Sequence, residues 1–432
     1  MINEPGSNEA VLSGSGRAQT TGRYVVVFTD ADVDPAPLLE SVAGLSNVAN
    51  SREFAERGVD GTEADSTVFG ELGVAVVSVD PSQLASLRSS DQAQRAILSI
   101  SPELIYYPLV DSSYLAGYHD GITDLSARIT GTASSSGGQL AGRIGVSQFK
   151  DTTDFTWGLQ ATQVVSSPHS GKGIKVAVLD TGFDLSHPDF GGRSITSASF
   201  IAGESAQDGH GHGTHCTGTA CGSKNPAGSP RYGIAYESEI FIGKVLGDSG
   251  SGSDQSVLAG IDWAITQGCQ VISMSLGADV ASPHPPYTEV GRRALEKGTL
   301  IVAAAGNNAD RGARNWGFVG APANSPYILA VGALEEDLSI AYFSARSLTS
   351  RGGQVDNAAP GRRVYSSWLM PQKYNTISGT SMATPHVAGL AALWAQSTGL
   401  RGRELWSVLA QESDRLYEPS VDVGAGLVLA PQ

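Results

Sequence analysis

The chain has 432 residues, with Lys+Arg 28 against Asp+Glu 43 for a formal net charge of −15. That length supports two domains and a sizeable core, while an acidic balance with no basic run argues against nucleic acid and anionic membranes as partners. Its 53 glycines fall in turns between apolar runs and not in a repeat, which suits an α/β enzyme with tight loops and excludes a fibrous chain.

Residues 1–20 are rich in Ser, Gly and Asn and read as a disordered tail. Residues 21–110 then carry a compact pattern: strand Tyr24–Phe28, helix Leu38–Val48, strands Thr67–Gly70 and Val74–Val79, a proline-opened helix Pro81–Ser89, and a last strand from Ala96–Ile100 and Leu104–Tyr107. The order β-α-β-β-α-β predicts a small ferredoxin-like α+β domain, and it holds no catalytic constellation. Residues 111–150 read as a linker. Leu115, Tyr118, Ile122, Leu125 and Ile129 share a helical face that Gly117 and Gly121 weaken, and the flexible Ala133–Gly138 follows.

From 151 to 432, short apolar strands (Lys175–Leu179, Ile240–Leu246, Val271–Leu276, Leu300–Ala304, Ile328–Ala333) alternate with helical patterns at Ser256–Gln267 and Val290–Lys297. This predicts a parallel β-sheet covered by helices on both faces, with the site at the C-terminal strand ends. Three cysteines, Cys216, Cys221 and Cys269, make no disulfide framework; free thiols are expected, with a Cys221–Cys269 bridge left open. The first residues lack a charged and apolar leader, and no apolar run is long enough to span a bilayer. The chain as given therefore reads as cytoplasmic, with secretion left open if its start is misassigned.

The stretch Ile377–Leu390 changes from small polar residues to a packed helical run, and Pro385 suits only a helix's first turn, so a helix is expected to begin near Ser381. A serine there is either an N-cap or a nucleophile whose surroundings favour developing negative charge. Asp180 ends a strand, as an Asx-turn residue or as an acid that orients a histidine. Asp208-Gly-His-Gly-His-Gly-Thr-His215-Cys216 offers His212 as a general base, as a packing residue, or as a zinc ligand with His215 and Cys216 or Asp208. Asn307 closes another strand, as a turn residue or as an N–H donor to an oxyanion.

Asp180-Thr-Gly, His212-Gly-Thr-His, Ala304-Ala-Gly-Asn and Gly379-Thr-Ser-Met-Ala-Thr-Pro-His together resemble the subtilisin-like serine peptidases, from about Trp157 to the C-terminus. The resemblance implies Ser381 as nucleophile, His212 as base then acid, Asp180 as the residue holding the imidazole, and Asn307 with the Ser381 N–H as oxyanion donors. His210, His215 and His386 become structural. Ser275, Leu276 and Gly277 resemble one edge strand for an extended substrate, and Gly250, Ser251 and Gly252 the other. Ala304, Gly306 and Gly320 would shape a roomy P1 pocket with no acid, preferring large apolar residues.

Calcium is implied at two places: at Asp189 with Asn225 from the loop Ser223–Tyr232, and at Asp356 with the Pro326 and Ile328 carbonyls. Cys216 resembles the free buried cysteine of proteinase K-like enzymes. Residues 21–110 resemble an intramolecular inhibitor whose tail, about Leu104–Val110, lies in the cleft; residues 111–150 exceed what short propeptides carry. Glu404–Gln411 and Val423–Val428 resemble the closing helix and strand. The expected partners are protein or peptide substrates and the chain's own N-terminal domain. The function expected is a serine endopeptidase made as a self-inhibited precursor, against a catalytically silent binding module or a maturation protease for one precursor.

Overall fold

The computed structural model describes residues 18–31, 34–51, 64–111, 149–348 and 353–432. The expected helical face over 114–129 and the flexible stretch after it lie outside these residues.

The N-terminal unit runs β1 (Thr20–Phe28), α1 (Ala36–Ala43), β2 (Val48–Asn50), β3 (Ser66–Phe69), β4 (Val74–Val77), α2 (Pro81–Ser89), α3 (Asp91–Ala96) and β5 (Ile97–Pro108). Its sheet order is β5-β1-β4-β3-β2, with β2 parallel to β3 and the other pairs antiparallel. α1 ends earlier than the apolar spacing predicts because Gly44 takes a left-handed conformation, φ +68°, and residues beyond it turn into the short strand β2. Asp80 caps α2 in a capping box with Gln83, which is why this helix starts where the sequence places it.

The run Val25-Val26-Val27-Phe28 lacks strict polar alternation because both faces of β1 are covered. Val26 and Phe28 pack with Leu39 and Leu87 of the unit's own helices. Val25 and Val27 pack instead into the core shared with the second unit.

That second unit contains α4 (Trp157–Ala161), β6 (Lys175–Asp180), β7 (Ile195–Ser199), α5 (His212–Cys221), β8 (Glu239–Lys244), β9 (Gly252–Ser253), α6 (Asp254–Thr266), β10 (Val271–Met274), β11 (Leu276–Gly277), α7 (Pro285–Glu296), β12 (Leu300–Ala304), β13 (Leu329–Leu334), β14 (Asn357–Pro360), the hairpin β15 (Val364–Ser367) and β16 (Tyr374–Ile377), α8 (Thr380–Thr398), α9 (Gly402–Gln411) and α10 (Ser420–Val423). The sheet is parallel throughout, in the order β14-β13-β12-β10-β6-β8-β7. Alternate residues feed two cores: Val176 and Val178 pack towards α5 and α8, and Ala177 and Leu179 towards α6 and α7. α7 begins five residues before the expected helix because Pro285 and Pro286 fill its first turn.

The expected closing strand Val423–Val428 does not form. Residues 420–423 are helical, and Leu427 makes only isolated bridges to Ala358 and Asp414. Gly424 and Gly426, at φ +60° and +120°, break any extended run. No helix among the described residues is long and apolar enough to cross a membrane.

The two units are joined through polar contacts as well as shared core. Arg293 of α7, with its side chain 5% exposed, donates to the Phe28 carbonyl at 2.7 Å, to the Gly73 carbonyl at 3.1 Å and to the Leu72 carbonyl. Asp262 of α6 accepts Ser51 Oγ at 2.7 Å and the Glu71 N–H at 2.9 Å. At the start of α6 the Gln255 N–H donates to Glu103 at 2.9 Å, placing a carboxylate where the helix dipole favours it.

Candidate active site

Two strand ends, of β6 and β12, and two helix starts, of α5 and α8, bring the candidate residues to one edge of the sheet. Asp180 closes β6, and its Oδ1 meets His212 Nδ1 at 2.7 Å while accepting the Thr181 N–H at 2.7 Å. His212 opens α5 and is fully buried. The close approach needs glycine, since a Cβ at Gly213 would run into the Gly182 carbonyl. Asp208, with no role assigned from sequence beyond zinc, organises the loop: its carboxylate accepts the N–H groups of His210, Gly211 and Thr214 and the hydroxyls of Thr181 and Thr214, all at 2.7–2.9 Å. Buried Lys244 donates to the Thr181 carbonyl and to Asp248, each at 2.6 Å, and Asp248 in turn accepts the Gly209 N–H, so one cation ties the aspartate loop to the histidine loop.

Burial by itself lowers the pKa of His212; the Asp180 charge, then Cys216, outweigh it and hold the imidazole well above its ordinary 6.5. His215 is pushed down to about 3 by burial and by His212, and its Nε2 bonds the Val364 carbonyl at 3.0 Å. Burial lowers His386 to about 4, and its Nδ1 lies 2.8 Å from the Met382 carbonyl. His210 sits beside Gly250. The zinc set of His212 and His215 with Cys216 or Asp208 is therefore not assembled. Ligand atoms of Asp180, His212 and Cys216 do cluster, but the Asp180–His212 hydrogen bond uses two of them. All three cysteines are free and buried. Cys216 Sγ lies 3.8 Å from His212 Nδ1, and burial raises its thiol pKa against the opposing pull of His212.

Ser381 is the second residue of α8. Pro385 lies beyond the first turn, unlike the sequence expectation, and removes an i→i−4 donor. The Ser381 carbonyl left over accepts Ser275 Oγ at 2.8 Å and the Cys216 thiol at 3.6 Å, which is how the helix tolerates the proline. Ser381 Oγ donates to the Ser275 carbonyl at 2.8 Å and accepts the Leu109 N–H at 2.9 Å. Among the described residues no Ser381–His212 hydrogen bond is formed. Asn307 follows β12, and its Oδ1 accepts the Thr380 N–H at 2.9 Å and Thr380 Oγ1 at 2.8 Å, so its Nδ2 points the other way. That nitrogen donates to the Leu109 carbonyl at 2.5 Å, and the Ser381 N–H reaches the same oxygen at 3.4 Å.

The end of β5 fills the cleft between two edge strands. Ile105 and Tyr106 pair with Ser253 and Gly252 of β9, and Tyr107 and Pro108 pair with Gly277 and Leu276 of β11. The Leu109 N–H also reaches the Ser275 carbonyl at 3.3 Å, and the Asp111 N–H, past Ser381, donates to the Ser378 carbonyl at 2.8 Å. Of the expected edge Gly250–Gly252, only Gly252 pairs. Gly250 and Ser251 form a turn closed onto Gly247, because Gly250 sits at φ +80°. A Cβ at Gly277 would meet Leu109 Cδ1 at 2.8 Å, so this glycine leaves room for the Leu109 side chain. Ala304 and Gly306 lead into Asn307, whereas a Cβ at Gly320 would strike the Ala278 carbonyl at 2.6 Å, so that glycine serves a backbone contact.

At Asp189 the residues named for calcium do not fit it. Asp189 Oδ1 accepts the Ala227 N–H at 3.1 Å, Oδ2 accepts the Tyr232 hydroxyl at 2.7 Å, and the Tyr374 hydroxyl lies 3.0 Å from Oδ2. Asn225 is exposed, and only its backbone N–H is engaged, by Ser223 Oγ. Donors thus surround Asp189 where calcium requires six or more oxygen acceptors. Asp356 likewise accepts the Ala330 N–H at 2.8 Å and Gln354 Nε2 at 2.9 Å, and burial raises its carboxyl to about 7. Pro326 is exposed and Ile328 is buried. Replacing calcium by a chelator is expected to move the thermal midpoint by less than about 1 °C, whereas a bound stabilising ion shifts it with concentration; a rise of several degrees on adding calcium would show that one of these carboxylates does bind it.

Residues 171–426 match the subtilase family. The chain is 41% identical over 244 residues to Subtilisin Savinase of Lederbergia lenta, covering 56% of this chain and 84% of that protein. It is 39% identical over 236 residues to Subtilisin DY of Bacillus licheniformis, covering 54% and 81%, and 40% identical over 268 residues to Subtilisin E of Bacillus subtilis, covering 62% and 65%. The parallel sheet, the strand-end acid and amide, and the serine-bearing helix lie within the matched region, and the chain belongs to the subtilase family as a subtilisin-like serine endopeptidase.

Proposed function

We propose that this chain is the precursor of a serine endopeptidase whose N-terminal unit inhibits it, and that the Leu109–Val110 bond is the one it cuts in itself. One observation carries the reading: the Leu109 carbonyl oxygen is gripped by Asn307 Nδ2 and the Ser381 N–H while the chain continues on the far side of Ser381. For reaction, the Ser381 hydroxyl proton shifts from the Ser275 carbonyl to His212 Nε2. Oγ then attacks the Leu109 carbonyl carbon, and the oxyanion stays between Asn307 and the Ser381 N–H. Collapse breaks the bond to the Val110 nitrogen, which takes the proton back from His212, and water later releases the Leu109 acyl group by the same route. Asp180 holds the imidazole by its Nδ1 and stabilises its cation.

A leucine at P1 agrees with a preference for large apolar side chains. After the cut, residues up to 109 keep the shared core, the Arg293 contacts and both edge-strand pairings, which supports their role as inhibitor. Asn307→Ala tests the oxyanion assignment. The expected result is a fall of about 10²–10³ in kcat with KM little changed, the magnitude known for this donor in subtilisin itself; an unchanged kcat would remove Asn307 from the mechanism. Labelling of Ser381 by a fluorophosphonate separates an enzyme from a silent binding module.

A further inference from the structure

On the far side of Ser381 the chain is held by a side chain as well as by its backbone. The Asp111 N–H donates to the Ser378 carbonyl at 2.8 Å, which fixes this residue two places after Leu109. Its side chain is 6% exposed, and its Oδ2 accepts the Tyr342 hydroxyl. Arg362 Nη1 lies 3.7 Å from the same oxygen, within ion-pair reach, and the Arg362 side chain is 5% exposed. Both partners belong to the catalytic unit: Arg362 follows β14 by two residues, and Tyr342 lies in the loop after β13.

The catalytic unit itself holds the cation in position. The Arg362 N–H donates to the Leu334 carbonyl at 3.1 Å, and the Arg362 carbonyl accepts the Trp157 indole N–H at 3.1 Å. Its Nε lies 3.5 Å from Glu335 Oε2, and its guanidinium sits 5.3 Å from the centre of the Tyr342 ring. Backbone, carboxylate and ring together aim Nη1 at the cleft, so little freedom is lost when an acid arrives. Glu335 is 30% exposed, and water screens its share of the charge more than it screens Asp111. No step of the proposed reaction uses Tyr342 or Arg362.

We infer that Tyr342 and Arg362 make the second position after the cleaved bond selective for a carboxylate side chain, so that the favoured substrates are polypeptides with Asp at that place. The inference rests on the reading that residues 105–111 lie in the cleft as a substrate does. Asparagine fills the same volume and keeps an oxygen for Tyr342, but it brings no charge to Arg362, and hydrogen bonds to an ionised acceptor are the stronger ones. Lysine sets two cations side by side where water is largely excluded, and that repulsion exceeds the loss of one bond. The chain as a whole is acidic, at −15, so its overall field works against an acidic peptide. A preference for Asp must therefore arise at the subsite.

The test uses the purified active protein and internally quenched peptides containing Ile-Tyr-Tyr-Pro-Leu-Val-X-Ser-Ser, the sequence of residues 105–113 with X at the place of Asp111. X is Asp, Asn or Lys, and mass spectrometry reads where each peptide is cut. The expected kcat/KM for Asp exceeds that for Asn by about 5-fold or more and that for Lys by about 100-fold. In Arg362→Gln the Asp-to-Lys ratio is expected to fall by about 10-fold or more. Tyr342→Phe keeps the ring beside Arg362 and is expected to slow the Asp peptide by about 5-fold. The comparison in the unaltered enzyme needs no variant, so a poorly folding substitution cannot shelter the idea. Equal cleavage of the Asp and Asn peptides after Leu, faster cleavage of the Lys peptide, or an Asp preference that survives both substitutions overturns the assignment of Tyr342 and Arg362 and leaves the cleft reading standing. Failure to cut any of the three between Leu and Val overturns the cleft reading, and this inference with it.

Discussion

Ser381→Ala is expected to lower kcat by about 10⁶ on any peptide substrate, the scale known for loss of the nucleophile in subtilisin itself. The physical reason lies in what the substitution removes and what it keeps. The Ser381 N–H and Asn307 still grip a carbonyl, and the edge strands β9 and β11 still pair with the peptide, so binding persists while the atom that forms the acyl bond is gone. In the same variant the chain should remain joined at Leu109–Val110. Its stability should change little: the Ser381 carbonyl, which compensates for Pro385, stays in place, and only a hydroxyl bonded to Ser275 and Leu109 is lost. Residual activity within tenfold of the unaltered enzyme would exclude Ser381 as nucleophile.

Asp180→Asn carries the second large effect, a loss of about 10⁴ in kcat by comparison with the serine-protease triad. The pH profile gives the more specific readout. His212 accepts a proton only when neutral, so kcat/KM rises as pH climbs through its pKa. In the unaltered chain burial is outweighed by the Asp180 charge, and the rising limb is expected above the ordinary 6.5. With an amide at 180 the raising influence disappears while burial remains, so the limb should move to lower pH as the plateau collapses. A limb that stays in place would mean that another group sets the acid side.

The sheet and the edge where chemistry gathers were legible because buried strands such as Leu300–Ala304 are continuous apolar runs, and because Asp180 and Asn307 follow such runs directly. His212 stood out through its flanking glycines. What stayed illegible depends on contacts between distant segments. The pairing of Asp189 with Tyr232 and Tyr374 spans 43 and 185 residues, and nothing local marks two phenols as filling a place expected for an ion. Pro385 marks the helix start to within one residue although it sits past the first turn, because its cost is offset by Ser275, between β10 and β11. Asp208 and Lys244 look like ordinary loop and strand-end charges until their partners are known. The packing of Tyr106 against Tyr287 joins residues separated by more than a hundred positions, so no spacing rule could have assembled it. The missing closing strand reflects two glycines whose positive φ outweighs an apolar run.

The central claim is that the chain holds its own Leu109–Val110 bond as a substrate of Ser381. N-terminal sequencing with intact-mass determination on the purified active protein tests it most directly. The expected result is a catalytic chain beginning at Val110, or at a residue after it where secondary trimming follows, together with an uncut Ser381→Ala chain. Fully active protein that retains residues 105–111 joined across the site, or a first cut N-terminal to Leu109, would contradict it.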